Sequence, residues 1–242
     1  MPAVIILAGL GNPGPKYAGH RHNVGYMAVD AIAEAHGFGP PRKKFQAEIR
    51  EGFLDGPAGR QKAIVLKPTT FMNESGRSVG EAMRFFKSAP GDIAVFHDEI
   101  DLAAGKLRVK TGGGTAGHNG LRSIEAHIGP EFRRVRIGIG HPGDKAKVTG
   151  HVLGDFAKAD HQWLDPLLAA IAQAAPYLVA DDARFTSTVA QQLAMPKTPG
   201  DRTAAPSSED RATASADPAL PTEKPARGPL AEALRKLLGR KD

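Results

Sequence analysis

Apolar residues along this chain switch repeatedly between the period of a strand and that of a helix. The run Val4-Ile5-Ile6-Leu7-Ala8 is continuously apolar and ends in Gly9, which predicts a buried strand followed by a loop. Polar residues dominate until Asn23, after which Val24, Met27, Ala28, Ala31 and Ile32 recur at helical spacing as far as His36, with Gly37 as the stop. Phe45 to Leu54 and Lys62 to Lys67 predict two strands, and the turn-rich Asp55-Gly56-Pro57-Ala58-Gly59 between them makes a hairpin. Ser75 to Lys87 sets Val79, Met83 and Phe86 on one helical face. A short apolar run, Ile93 to Phe96, is followed at once by His97-Asp98-Glu99. Lys106 to Lys110 alternates strictly, as a strand with one wet face does, and Gly112-Gly113-Gly114 ends it. Asn119 is placed to cap a helix running to Ile128, and Arg134 to Ile139 is a further strand with basic residues at alternate positions. Two more helices are expected, from about Ala159 to Ala175 and from about Ser187 to Leu193.

From Met195 the pattern stops. Pro, Ala, Ser, Thr and mixed charge take over and aromatic residues vanish, a composition that cannot bury enough surface to fold alone. The organisation expected is one domain over residues 1–194 and a largely disordered Pro/Ala-rich tail over 195–242. Near the end of that tail, Leu230, Leu234, Leu237 and Leu238 form one apolar stripe, the mark of a short amphipathic helix.

Composition narrows the chemistry. None of the 242 residues is cysteine, so a disulfide framework, a thiolate nucleophile and a Cys-ligated zinc are all impossible. The apolar start is too short to span a bilayer and has no basic segment before it, which predicts a soluble, cytoplasmic protein without a membrane partner. A formal charge of +6 favours a polyanionic partner, because neutralised phosphates release condensed counterions.

Three groups of residues bear on function. Gly9-Leu10-Gly11-Asn12-Pro13-Gly14 matches the letters of a dinucleotide fingerprint, but Pro13 and Pro15 postpone the helix whose N-terminus would receive the pyrophosphate. A tight glycine turn explains it better. His20-Arg21-His22-Asn23 precedes a helix, and His97-Asp98-Glu99 follows a buried strand, where open α/β sheets place their ligands. Together they suggest a His/Asp cluster, although no His-Glu-x-x-His pair anchors a metal, and a solvated strand end would equally explain the carboxylates. Asn12, Asn73 and Asn119 are each most simply turn or cap residues. Jointly they offer neutral donors and acceptors for a carbonyl and a water, as hydrolysis without a Ser or Cys nucleophile requires. The residues alone therefore point to a His/Asp hydrolase acting on an anionic substrate.

Six blocks, in order, sharpen this reading. Gly11-Asn12-Pro13-Gly14 with Tyr17, Arg21-His22-Asn23, Pro68-Thr69-Thr70-Phe71-Met72-Asn73, His97-Asp98-Glu99, Gly117-His118-Asn119-Gly120 and Arg136-Ile137-Gly138-Ile139-Gly140-His141-Pro142 resemble the signature blocks of bacterial peptidyl-tRNA hydrolase across residues 3–194. The resemblance implies a single α/β domain with a mixed twisted sheet flanked by helices, of the purine nucleoside phosphorylase type. It also implies a monomeric enzyme of translation that acts on peptidyl-tRNA without metal or cofactor. By the same resemblance His22 is the catalytic histidine and Asp98 the carboxylate that orients it. Asn12, Tyr17, Met72, Asn73, His118 and Asn119 line the substrate cleft, and Lys110 and Arg136 grip the 5′ phosphate of tRNA, with Lys106, Arg108 and Arg134 on the same basic surface. Two features depart from the family pattern, Thr115-Ala116 in the glycine loop and the long tail.

Overall fold

The computed structural model describes residues 4–195. The Leu230–Leu238 stripe and all but the first residue of the expected tail lie outside the described residues. Seven strands, β1 (Ile5–Gly9), β2 (Arg42–Lys44), β3 (Ala47–Gly56), β4 (Gly59–Pro68), β5 (Ile93–Glu99), β6 (Leu107–Thr111) and β7 (Arg133–Gly138), form one sheet in the order β2-β3-β4-β1-β5-β7-β6. The continuous apolar run lies at its centre: β1 is buried in every residue and pairs in parallel with β4 and β5. The predicted hairpin is present, with β3 antiparallel to β4 from Ala47 opposite Pro68 to Gly56 opposite Gly59. At the other side β7 runs parallel to β5, and the alternating strand β6 closes the edge antiparallel to β7. Hairpins join β2 to β3 and β3 to β4, whereas the antiparallel β6 and β7 are linked through α3, and the parallel pairs centre on β1 and β5, hence a mixed sheet.

Period-2 alternation divides the core. Ile5 and Leu7 face a cluster containing Val24 and Ile32 of α1 (Val24–Ala35). Ile6 and Ala8 face Val79 and Ala82 of α2 (Ser75–Phe86) and Leu121 and Ile124 of α3 (Asn119–Ile128). A short α4 (Val148–Val152) follows β7; α5 (His161–Ala174) and α6 (Asp182–Ala194) then join α1 on the first face.

One close approach sets the site. A Cβ on Gly25 would lie 2.2 Å from the Phe96 carbonyl oxygen and 2.5 Å from Leu10 N, so only glycine lets α1 start against the ends of β1 and β5. His22, just upstream of α1, is thereby carried to the end of β5.

Several expectations are corrected. The polar triplet His97-Asp98-Glu99 is not a solvated strand end: β5 continues through it and all three residues are buried. The cap of α3 is His118, whose side chain accepts from Gly120 N and Leu121 N, and Asn119 is the first helical residue. The helix expected near Ser187 starts at Asp182, where Asp181 accepts from Arg184 N. As the prolines predict, the glycine run leads into a 3-10 turn at Pro15–Tyr17 and the first α-helix opens only at Val24. No pyrophosphate site of the dinucleotide kind forms there.

Candidate active site

Four segments converge at the carboxyl ends of β1, β4 and β5: the loop after β1, the 3-10 turn Met72–Glu74 after β4, the end of β5 itself, and the loop entering α3. At the centre, His22 Nδ1 lies 2.8 Å from Asp98 Oδ1. The same oxygen lies 3.1 Å from His118 Nε2. The two imidazoles tilt against each other with ring centroids 4.8 Å apart. Asp98 has only 3% of its side chain exposed, against 12% for His22, so the carboxylate is sealed behind the ring that meets the hollow.

Burial alone would push the Asp98 carboxyl up. The adjoining His118 and the hydrogen bonds from His118 and His22 outweigh it and hold Asp98 well below the usual carboxylate range. An ionised Asp98 only accepts, so His22 carries a proton on Nδ1, and in the neutral ring Nε2 is left as an acceptor. His97, the residue before Asp98, donates from Nδ1 to the Asp98 carbonyl at 2.9 Å. Burial, reinforced by neighbouring His118, pushes its pKa down to about 3, so His97 is a neutral packing imidazole at neutral pH.

His22 stands where two hollows meet. One, of about 220 Å³, includes His97, Glu99, Gly117, Val148 and Val152 in its walls. The other is bounded by Asn12, Phe71, Met72, Asn73, Asn119 and Arg122, and Leu153 borders both. Of the residues singled out in the sequence, His22, Asp98, Asn12, Met72, Asn73, His118 and Asn119 come together here. Asn12 is held firmly: its Oδ1 accepts from Met72 N at 3.0 Å, and its backbone exchanges two hydrogen bonds with the Asn23 amide at 2.9 and 3.0 Å. The Asn12 Nδ2 group is thus the free end of its side chain. Asn119 accepts from Arg122 at 2.6 Å, and Asn73 is exposed on its 3-10 turn.

Tyr17, Lys110 and Arg136 do not line these hollows. Tyr17 lies upstream of His22 with its ring edge-on to His20 at 5.3 Å. Lys110 is exposed on β6. Strand register sets Lys110 opposite Arg134 and Arg108 opposite Arg136, so all four share one sheet face. Arg136 is bound through Nε to Glu99 Oε2 at 2.8 Å. Arg134 is withdrawn from the basic surface: it is buried and donates to the Gly114 carbonyl at 2.6 Å and to Glu125 at 3.2 Å, pinning the glycine loop to α3.

Three contributors carry roles that their sequence did not reveal. Asn23 is buried and positions Asn12; its place beside His22 was the only signal. Arg21 binds the carbonyl of Asp155 and the carboxylate of Asp160, both at 2.8 Å, fastening the His22 loop to the segment after α4. Val148 to Leu153 wall the first hollow, and nothing in their sequence marks them.

His22, Asp98 and His118 offer three donor atoms within 4.8 Å of one another, a spacing that invites a metal ion. The donor set does not fit one. His118 Nδ1 accepts from Gly120 N at 3.1 Å and Leu121 N at 3.4 Å, so a neutral ring keeps its proton on Nε2, the atom that would have to ligate.

Fold and site together define an α/β protein with a mixed sheet in which a buried carboxylate, two imidazoles and side-chain amides meet beside two hollows. The family model described as peptidyl-tRNA hydrolase matches residues 6–198. The chain is 63% identical to the peptidyl-tRNA hydrolase of Parvibaculum lavamentivorans over 188 residues, covering 77% of this chain and 90% of that one. It is 52% identical to that of Agrobacterium fabrum over 242 residues, covering 98% and 99%. The crystal structure of peptidyl-tRNA hydrolase from Acinetobacter baumannii superposes with a TM-score of 0.68 at 39% identity, covering 80% of this chain and 95% of that one. The chain belongs to the peptidyl-tRNA hydrolase family.

Proposed function

We propose that His22, oriented by Asp98, activates a water that cleaves the ester between the C-terminus of a peptide and the terminal ribose of tRNA, freeing both. The observation that carries this reading is the 2.8 Å contact between His22 Nδ1 and Asp98 Oδ1 with the far side of the ring at the junction of two hollows. Water oxygen bonds to the ester carbonyl carbon as His22 Nε2 takes its proton; the bond from that carbon to the ribose oxygen then breaks, and His22 returns the proton to the leaving hydroxyl. Asp98 stabilises the imidazolium formed between the two steps, and general-base help of this kind contributes about 10² to 10⁴-fold. The free Nδ2 of Asn12, with Asn73 and Asn119, supplies donors for the carbonyl oxygen as it gains negative charge. Met72 shapes the apolar floor, and Tyr17 acts only from behind, through its contact with His20 on the segment that carries His22.

Lys110 and Arg136 bind a tRNA phosphate at a distance from the reacting atoms. The reaction belongs to the 1–194 domain acting as a monomer in the cytoplasm, without metal. A chain free of cysteine suits that compartment, and among the described residues no helix is long and apolar enough to cross a membrane. The test is release of peptide from N-blocked aminoacyl-tRNA by the purified protein in excess chelator. Full activity supports the reading. Loss of activity with chelator, or tight tRNA binding without cleavage, refutes it in favour of a metal hydrolase or an RNA-binding protein respectively.

A further inference from the structure

We propose that His118 is a tautomer-locked positioning residue that clamps Asp98 through the same carboxylate oxygen His22 meets, rather than a residue that binds substrate. Both of its ring nitrogens are committed inside the protein. Nδ1 caps α3, accepting from Gly120 N at 3.1 Å and Leu121 N at 3.4 Å. Those two donors fix the neutral ring as the Nε2–H form, because a proton on Nδ1 would oppose two N–H groups at the positive end of a helix. The remaining N–H therefore points permanently at Asp98 Oδ1, 3.1 Å away. The His118 side chain is only 8% exposed and packs edge-on against His97 at 5.2 Å, so the ring has no room to turn.

The clamp has two effects. It fixes the rotation of the Asp98 carboxylate so that Oδ1 meets His22 Nδ1, and it takes up part of the carboxylate's charge. Without the second donor that charge falls wholly on His22, which would then hold a proton more tightly and be already protonated, and so unavailable to take one from water, up to a higher pH. The charged or titratable groups around the pair are Asp98, His97 and Glu99 of β5, His118 ahead of α3, and Arg122 of α3 at the rim of the second hollow. Among these only Asp98 makes a hydrogen bond to either His22 or His118. His118 and Asp98 come from separate chain segments, and the helix cap by itself fixes the His118 tautomer. The consequence for rate rests on the proposed base role of His22.

Two substitutions separate clamp from cap. His118→Asn keeps an acceptor where Nδ1 stands and so keeps the cap, but its amide is too short to reach Asp98 as Nε2 does. His118→Gln places an amide N–H near the Nε2 position and keeps the donor. We expect His118→Asn to melt close to wild type, to lose roughly 10 to 100-fold in kcat with KM within about twofold, and to move the acid limb of the pH–rate profile to higher pH. His118→Gln should restore the acid limb and much of the rate. In a reading that needs no substrate, the His22 ring followed by NMR in the free protein should titrate at higher pH in His118→Asn than in wild type. An unchanged His22 titration in His118→Asn would overturn the clamp, whatever reaction the enzyme performs. A raised KM with unchanged kcat would overturn it in favour of substrate binding. If the NMR shift appears while His22→Ala keeps full activity, the clamp stands and the base assignment fails.

Discussion

Acid stability provides a sharp test of how β5 is buried. His97 sits inside the sheet with its pKa pushed down to about 3 by burial and by neighbouring His118, whereas an unfolded chain exposes an ordinary imidazole near ~6.5. Between those values the unfolded state binds a proton that the folded state refuses, so stability is fully present above about pH 6.5 and is lost as pH falls towards 3. From pH 7 to pH 5 one such group removes about 2 kcal/mol, since the slope approaches ~1.4 kcal/mol per pH unit once the unfolded imidazole titrates. Asp98 has a depressed folded pKa, so its contribution is present above the unfolded value of about 3.9 and is lost only as pH falls through the lower folded value. The window from 7 to 5 therefore isolates the imidazole from the carboxylate. The assay is urea unfolding at pH 7 and pH 5 for wild type and His97→Asn, which keeps an amide donor where Nδ1 meets the Asp98 carbonyl. Whatever its baseline stability, the variant should lose about 2 kcal/mol less than wild type between the two pH values. Equal losses in the two proteins, or a His97 ring that titrates above pH 5 by NMR in the wild type, would refute the reasoning.

Other consequences follow from single contacts. Asp98→Asn removes the charge that stabilises protonated His22, and kcat should fall by about 10² to 10⁴-fold with KM little changed; a loss under about tenfold would count against the pairing. Lys110→Ala and Arg136→Ala should both raise KM more than they lower kcat, since a remote phosphate contact gives uniform binding, but only Arg136→Ala should also lower the melting temperature. That difference arises because Arg136→Ala strips the buried Glu99, 6% exposed, of its ion-pair partner and leaves it only the hydrogen bond from Asp101 N, a cost of about 1–3 kcal/mol. Equal melting temperatures for the two variants would show that the pair is not structural. Gly25→Ala inserts a methyl 2.2 Å from the Phe96 oxygen and should destabilise by at least about 1–3 kcal/mol, with kcat reduced because α1 carries His22; a variant as stable and active as wild type would contradict the packing.

Most elements were legible wherever burial follows hydrophobic period. The run at Ile5–Gly9, the amphipathic α1 and α2 and the hairpin of β3 and β4 all form where the pattern put them. Two misplacements are local caps, His118 ahead of α3 and Asp181 ahead of α6, and the others come from structure held by groups whose partners lie far away in sequence. β5 continues through His97-Asp98-Glu99 because Asp98 finds two imidazoles and Glu99 finds Arg136, and no local pattern announces those partners. The all-basic β2 is joined to the edge by backbone pairing with β3, to which its side chains are irrelevant. Arg134 and Arg136 look equivalent on an alternating strand, yet Arg134 is buried against Glu125 and only Arg136 remains partly open. The blocks of sequence put His22, Asp98, Asn12, Met72, Asn73, His118 and Asn119 forward together, and they do meet in one place, but no block carries the contacts that hold them there. Only the coordinates show that Asn23 holds Asn12 and that His118, not Asn119, caps α3.

The most direct measurement is the rate of peptide release from N-blocked aminoacyl-tRNA by His22→Ala, compared with wild type alongside tRNA affinity. Loss of the base should lower kcat by about 10² to 10⁴-fold while tRNA binds within a few fold of wild type. A variant that cleaves at the wild-type rate would show that proton removal at His22 is not what drives the reaction.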